Sequence, residues 1–552
     1  MPEELRWMES GSSEWNQALD TLTDYSLLTR EAHGPASEDG VAEESVHMHR
    51  LVHDIVSRLT DGPHRDTYRN AVRTLLTEAD PGDPADSRHW PRYAELVPHL
   101  NASAALTSRS PQTQRTVLNC LRSCEHSGKY RTGIDLAEKI RSAWGEFMNP
   151  LAQSMIDLTV REGSLLRATG RFYEAYQLDL GLRDRLGQGE PVDEVGVLVC
   201  DDAVAGDLRH LGQYTEADDL QGQALDQAQR LLGHSDLVTV TARHHLGLSR
   251  RLLGRYREAY EHDAAALARS ERAFRHRHAT TLRISSAVAQ DLRLLGRYRE
   301  ALARQEATFR LHDQVLGLTH PQTLQAHAQL LLCRRRGGGT QQDIGATMET
   351  LLEQMERVHG RSHYVTLALV NDYSNLLREH GDLDRAAELA AEAESGYRSL
   401  VGPAHPFAAG TLVSTGLTMV ASGQRSSGLS LLEAALIGLT GSLGPDHPLV
   451  LGCALNTSTA RNLSGQTDYA AELSRDTLRR ARQTLGDEHP LTLSCQTALA
   501  ADLRALRQTA EAEQLDEEAF LVFTRTLGIQ HPHTVAARQR ARPFWDFEVP
   551  MG

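Results

Sequence analysis

The chain has 552 residues, 58 Lys plus Arg against 73 Asp plus Glu, and a formal net charge of -15 at pH 7. That acidic balance argues against a general nucleic-acid or anionic-membrane binder, because both reward excess positive charge. Six cysteines and 5% aromatics exclude a disulfide scaffold, no apolar run approaches the roughly 20 residues that span a bilayer, and MPEELRWMES lacks the regions of a secretion signal, so a cytoplasmic protein is expected.

In chain order, the first predicted module covers residues 1–60. Trp15, Leu19 and Leu22 suggest a helix, and YSLLTR (25–30) and VHMHRLVHDIVSRL (46–59) suggest a strand pair running into a second helix. The polar stretch REAHGPASEDGVAEES between them reads as a mobile loop. These segments resemble the last helix and wing of the winged-helix module that follows the nucleotide-binding domain in STAND-class regulators. Residues 61–110 read as a helical linker, ending in DPGDPADSRHWPRYAELVPHL (80–100).

From residue 111 to about 535 the chain repeats itself. A glycine recurs at Gly128, Gly170, Gly212, Gly254, Gly296, Gly338, Gly381, Gly423 and Gly465, at intervals of 42 residues with one of 43, and Arg507 continues the series. A second anchor, usually His-Pro, runs His320, His363, His405, His447, His489 and His531 in phase with it. Apolar residues three and four apart in TLQAHAQLLLCRRRG and VTLALVNDYSNLLREHG predict an amphipathic helix of about four turns. The glycine ends that helix, a second helix follows, and His-Pro opens the next unit. A small residue five after the glycine (Ala175, Ala217, Ala259, Ala301, Ala386, Gly428, Ala470, Ala512) allows close helix approach. Repeat six, CRRRGGGTQQDIGA, departs from the pattern and predicts a local bend or loosened junction. Residues 536–552 read as a C-terminal tail.

LGRYREAY (253–260), LGRYREAL (295–302) and GRFYEAYQ (170–177) resemble the tetratricopeptide signature, and the 42-residue period with HPxTL turns is similar to the kinesin-light-chain subtype. The resemblance implies an all-α, right-handed α-solenoid of about ten helix-turn-helix repeats, preceded by the small winged-helix-like remnant. The linker and the ending FWDFEVP (544–550) resemble actinobacterial proteins in which a nucleotide-binding (NB-ARC) domain precedes the repeats, among them those associated with FxSxx-COOH ribosomal peptides. No G-x-x-x-x-G-K-[ST] phosphate loop is present. The chain therefore reads as the sensor half of a longer protein or a stand-alone descendant of one.

The histidine series cannot converge on one ion, because even single packed helices lie about 8–10 Å apart and Zn–N bonds are about 2 Å; turn and capping work explains it. His244, His245, His234, His262, His276 and His278 form a looser cluster, again without a metal expected. Cys120/Cys124 and Cys453/Cys495 read as small buried packing residues. No catalytic motif stands out, so neither an enzyme nor a cofactor is expected.

One pattern points to a ligand. Three residues before the glycine anchors stand Arg167, Arg209, Arg251, Arg293, Arg335 and Arg378; Val420 and Asn462 interrupt the series and Arg504 resumes it. Two and one turns earlier on the same face stand His244, Ser286, Asn371 and Thr497, then Ser164, Gln290, Asn375 and Thr459. The resemblance places this face on the concave groove. A planar guanidinium binds carboxylate with two hydrogen bonds, and an amide holds a peptide backbone as donor and acceptor. The competing reading is that these arginines complement helix dipoles and pair with neighbouring acids. The expected ligand-binding set is Arg167, Arg209, Arg251, Arg293, Arg335, Arg378, His244, Gln290, Asn371 and Asn375.

The expected function is a non-catalytic scaffold, sensor or adaptor, whose groove binds an extended peptide, an acidic segment or a C-terminal carboxylate. A peptide-maturation enzyme or an N-terminal nucleotide-binding domain are further expected partners; nucleic acid and membrane are not. The alternatives are a self-assembling structural module, or the sensor half of an NTP-dependent STAND signalling or defence protein.

Overall fold

The computed structural model describes residues 13–33, 43–60, 62–188, 193–338 and 341–550. It divides into two compact units, one of residues 1–126 with 135–158, the other of residues 127–134 with 159–552.

In the first unit a helix, Ser13–Asp24, precedes two antiparallel strands, Leu28–His33 and Glu43–Met48, in register Leu28↔Met48 to His33↔Glu43, and a helix Arg50–Leu59. The expected strand pair and following helix are present, while the loop read between them lies mostly outside the described residues. The linker is helical over Gly62–Glu78 and Trp90–Leu96. Asp80 ties it to the helix Pro111–His126: its carboxylate accepts from the Tyr93 hydroxyl at 2.7 Å and from Asn119 Nδ2 at 3.0 Å.

The second unit is an α-solenoid of helix pairs such as Leu237–Leu252 with Tyr256–Phe274, Tyr364–His380 with Leu383–Val401, and Pro448–Leu463 with Thr467–Leu485. From the helix Glu194–His210 onward, each first helix is capped by its histidine or an equivalent acid. Nδ1 of His363, His447 and His489 accepts from the backbone N–H two residues on, at 3.1–3.3 Å. An accepting Nδ1 leaves the proton on Nε2, which donates to a carbonyl 195 residues earlier: His363 to Ala168, His447 to Leu252, His489 to Leu294 and His531 to Arg336, at 2.8–3.0 Å. The histidine series, read from sequence as turn and cap chemistry, also joins repeats four to five units apart.

The glycine series faces the same junction. Gly254 and Gly296 have φ of +74° and +76°, and a Cβ on either would come within 3.0 Å of Pro448 or Pro490. Successive turns of the solenoid thus pack His-Pro onto Gly. At Gly423 and Gly465, by contrast, φ is equally positive but nothing lies within 4 Å; there the glycine serves only the helix end.

Arg425–Leu443 is, by length and composition alone, apolar enough to cross a bilayer, which the sequence reading did not expect. It forms the second helix of a repeat, with Leu429, Leu432, Ala435 and Leu439 in the core. At repeat six, helices Pro321–Arg336 and Gln341–His359 both form; the junction expected to be loose includes residues 339–340, outside the described set.

Candidate functional site

The arginine ladder divides into two classes, and the division follows from sequence positions 12 and 40 residues further on. Arg167 pairs with Asp179 and Asp207, and Arg251 with Asp263 (2.6 Å) and Asp291 (2.7 Å). Arg504 pairs with Asp516. In each case an acid stands 12 residues after the arginine, on the second helix of the same repeat, and for the first two another stands 40 after, on the next repeat. Burial pushes the Asp207 and Asp263 carboxyls up to about 7, against the pull of Arg167 and Arg251. For Arg167 and Arg251 one guanidinium thus serves two buried carboxyls, which neutralises these arginines within their own and the next repeat. His244 belongs to it: its Nδ1 lies 2.7 Å from Asp263, and burial holds the ring well below the usual histidine range.

Arg293, Arg335 and Arg378 have no such acids. Gln305, Thr347 and Ala390 stand at the first position, and Cys333 and Thr418 stand 40 after Arg293 and Arg378. Their guanidiniums meet the chain's own ending, and Arg335 also donates to Glu379, 44 residues on, at 2.7 and 3.2 Å. Residues 541–550 have no regular secondary structure and run along the ladder. Arg378 Nη2 donates to Asp546 at 2.6 Å, and Arg335 pairs with the same carboxylate. Arg293 pairs with Glu548, as does Arg336 Nε at 2.6 Å. Burial would push both carboxyls up, but the surrounding arginines outweigh it and hold both below their ordinary values.

The amide row clamps the backbone of this segment. Asn371 and Asn375 donate to the Phe547 carbonyl at 2.9 and 3.2 Å. Ser414 donates to Asn371 Oδ1 at 2.8 Å, which turns the Asn371 amino group toward the tail. Asn456 donates to the Trp545 carbonyl at 2.7 Å and accepts from the Trp545 N–H at 2.8 Å, a two-point grip on the backbone of one residue. Two helix glycines open space for side chains: a Cβ on Gly410 would come within 3.0 Å of the Phe547 ring, and one on Gly452 within 3.0 Å of Trp545. Phe547 and Val549 are 3% and 1% exposed and join the core of the repeats around them. The Trp545 ring lies under Arg336, 5.0 Å from guanidinium carbon to ring centre.

Of the expected ligand-binding set, Arg293, Arg335, Arg378, Asn371 and Asn375 converge on this segment, while Arg167, Arg251 and His244 are engaged within and between repeats. Arg209 donates to neutral partners, Gln221 at 3.1 Å and Ser249 at 3.2 Å; Gln290 is 3% exposed, with no partner for Nε2 among the described residues. The sequence reading missed Arg336, Asn456, Gly410, Gly452 and the tail itself. The absence of acids 12 residues after Arg293, Arg335 and Arg378, beside the acid-aromatic alternation of FWDFEVP, was the available signal.

Tetratricopeptide-repeat models match residues 202–272 and 239–311, and a second such model matches 492–533. Among solved structures, nearly identical TPR-like repeats of a kinesin light chain from Podosopora anserina are 23% identical, cover 38% of this chain and 97% of that one, and have a TM-score of 0.31. A Rap protein complexed with Competence and Sporulation Factor is 10% identical, with 76% and 99% covered and a TM-score of 0.43. The apo quorum sensor NprR from B. thuringiensis is 10% identical, with 74% and 97% covered and a TM-score of 0.34. No curated protein matches the chain.

Proposed function

We propose that this chain, which carries tetratricopeptide repeats, is a non-catalytic protein-binding scaffold whose groove captures an extended, acidic segment of a partner protein. One observation carries the reading: an extended segment lies on the groove with its carboxylates on Arg293, Arg335, Arg336 and Arg378 and its backbone on Asn371, Asn375 and Asn456. Amide clamps recognise peptide backbone whatever its side chains, and guanidiniums select for carboxylate, so the pair defines a ligand class.

The scaffold acts as sensor or adaptor in the cytoplasm, and a partner's C-terminal carboxylate is one acid the arginines would accept. The first unit supports a role beside a nucleotide-binding domain or a maturation enzyme. Its helix Arg50–Leu59 leaves Leu51, Ile55 and Leu59 exposed at 66%, 57% and 80%, an apolar face of the kind that a further domain covers.

The test is peptide display against the chain carrying Phe547→Ala, which weakens the tail's hold, and against the same chain with Arg293→Glu and Arg378→Glu added. Enrichment of acidic sequences by the first and not the second is the expected result. No enrichment, or equal enrichment by both, overturns the reading.

A further inference from the structure

The segment on the groove is chemically specific. Its two carboxylates stand two residues apart, so in an extended chain they project to one side, and that side meets four arginines. Phe547, between them, projects to the other side, where Gly410 leaves room for its ring. Trp545 adds a second aromatic over Gly452. Nothing in this recognition requires covalent connection to the repeats: every hold described is made by side chains of the groove, and the tail has no ladder of backbone bonds to a neighbouring strand.

The groove also disfavours standing empty. With the tail in place the Arg293 and Arg378 side chains are 2% and 8% exposed, and neither has an acid within its own register, whereas Arg335 also holds Glu379 at 2.7 Å. Removing the tail would leave the buried Arg293 and Arg378 guanidiniums without a counter-charge, which is costly. Departure of one occupant is therefore coupled to arrival of another carrying the same charges. The tail is at the same time an incomplete fit: Asn375 Oδ1, Asp372 Oδ1, Arg335 Nη1 and Arg293 Nε beside it have no hydrogen-bond partner among the described residues. An occupant able to supply those partners would be held more tightly than the tail.

We propose that residues 542–550 are an intramolecular stand-in for the partner, and that the partner is a protein bearing an exposed aromatic-acid-aromatic-acid-apolar segment that binds by displacing the tail. The proposal rests on the scaffold reading above and adds both the pattern of the ligand and its competitor. A tethered occupant acts at high effective concentration, and apparent affinity for a free ligand falls by the fraction of chains whose groove is open.

The probe is a fluorescein-labelled synthetic peptide with the sequence of residues 542–550, titrated by anisotropy onto three full-length chains: wild type, Trp545→Ala/Phe547→Ala, and Asp546→Lys/Glu548→Lys. Circular dichroism and thermal melting establish that each variant keeps its repeats, and the two variants disrupt the tail by different chemistry. A peptide of the same composition in scrambled order is the specificity control. The expected result is binding at least about tenfold tighter to both tail variants than to wild type, and stronger for the native order than for the scramble. Equal affinity for wild type and folded tail variants overturns the competitor and leaves the scaffold standing. Tight binding of the scramble to the tail variants overturns the pattern alone. No binding of either peptide to folded tail variants overturns both proposals.

Discussion

Substituting Gly410 by Ala separates the tail from the repeats that hold it. Gly410 lies inside the helix Pro406–Ala421, where Ala is the better residue by about 1 kcal/mol. Its new Cβ, however, would sit within 3.0 Å of the Phe547 ring. Evicting that ring forfeits about 1.5–3 kcal/mol of burial, and with it the two hydrogen bonds from Asn371 and Asn375 to the Phe547 carbonyl, about 1 kcal/mol each. Opening of the tail is then eased by about 3–5 kcal/mol, or 10² to 10³-fold and somewhat beyond. The helix gain acts on open and closed tail alike and does not offset this. Amide hydrogen exchange reads the effect directly, with the Trp545 N–H, which is bonded to Asn456 Oδ1 at 2.8 Å, as the reporter. Exchange at Trp545 should accelerate by two orders of magnitude or more while helix Pro406–Ala421 stays as protected as before. An unchanged Trp545 rate, or loosening confined to the helix, would refute the reasoning.

Three further outcomes follow from the same geometry. Gly254→Ala should destabilise the chain by about 1–2 kcal/mol more than Gly423→Ala in chemical denaturation, because both bear the left-handed penalty but only Gly254 faces Pro448 across the turn of the solenoid. Arg251→Met should cost about 3–5 kcal/mol by leaving Asp263 and Asp291 buried without their cation, and it should unfold repeats, whereas Arg293→Met should chiefly free the tail in hydrogen exchange. Burial, and then Glu548, push Asp372 up to about 8. The hold on the tail is therefore full below that carboxyl's value with the tail open, and it is lost as pH rises from there to about 8, above which two carboxylates face each other. Trp545 exchange, corrected for intrinsic rate, should rise as pH approaches about 8 and level off above it, and Asp372→Asn should remove the rise.

The repeats were legible because their signals are local and periodic. Gly254 and His447 each mark a helix boundary in their own unit, and the 42-residue spacing multiplies that signal. That the two residues also touch, across a turn of the solenoid, depends on how many repeats complete a turn, and no residue pattern within one unit encodes that number. The arginine ladder was legible as a ladder; its division into self-paired and outward members needed the acids at 12 and 40 residues to be read with it. Asp263 and Asp291 satisfy Arg251, while Gln305 and Cys333 leave Arg293 without an acid of its own. The tail gave the weakest signal. Its register rests on pairs such as Arg378 with Asp546, 168 residues apart, made by a segment with neither helical nor strand periodicity, so only charge and aromatic alternation marked it.

The most direct measurement is a double-mutant cycle between Arg378 and Asp546, with Arg335 retained in all four chains. Wild type, Arg378→Met, Asp546→Asn and the double variant are compared by the exchange rate of the Trp545 amide. A tail held on the groove by this ion pair predicts a coupling of about 1.5–3 kcal/mol between the two substitutions. Additive effects, with no coupling, would contradict the account that the ladder binds an extended acidic segment.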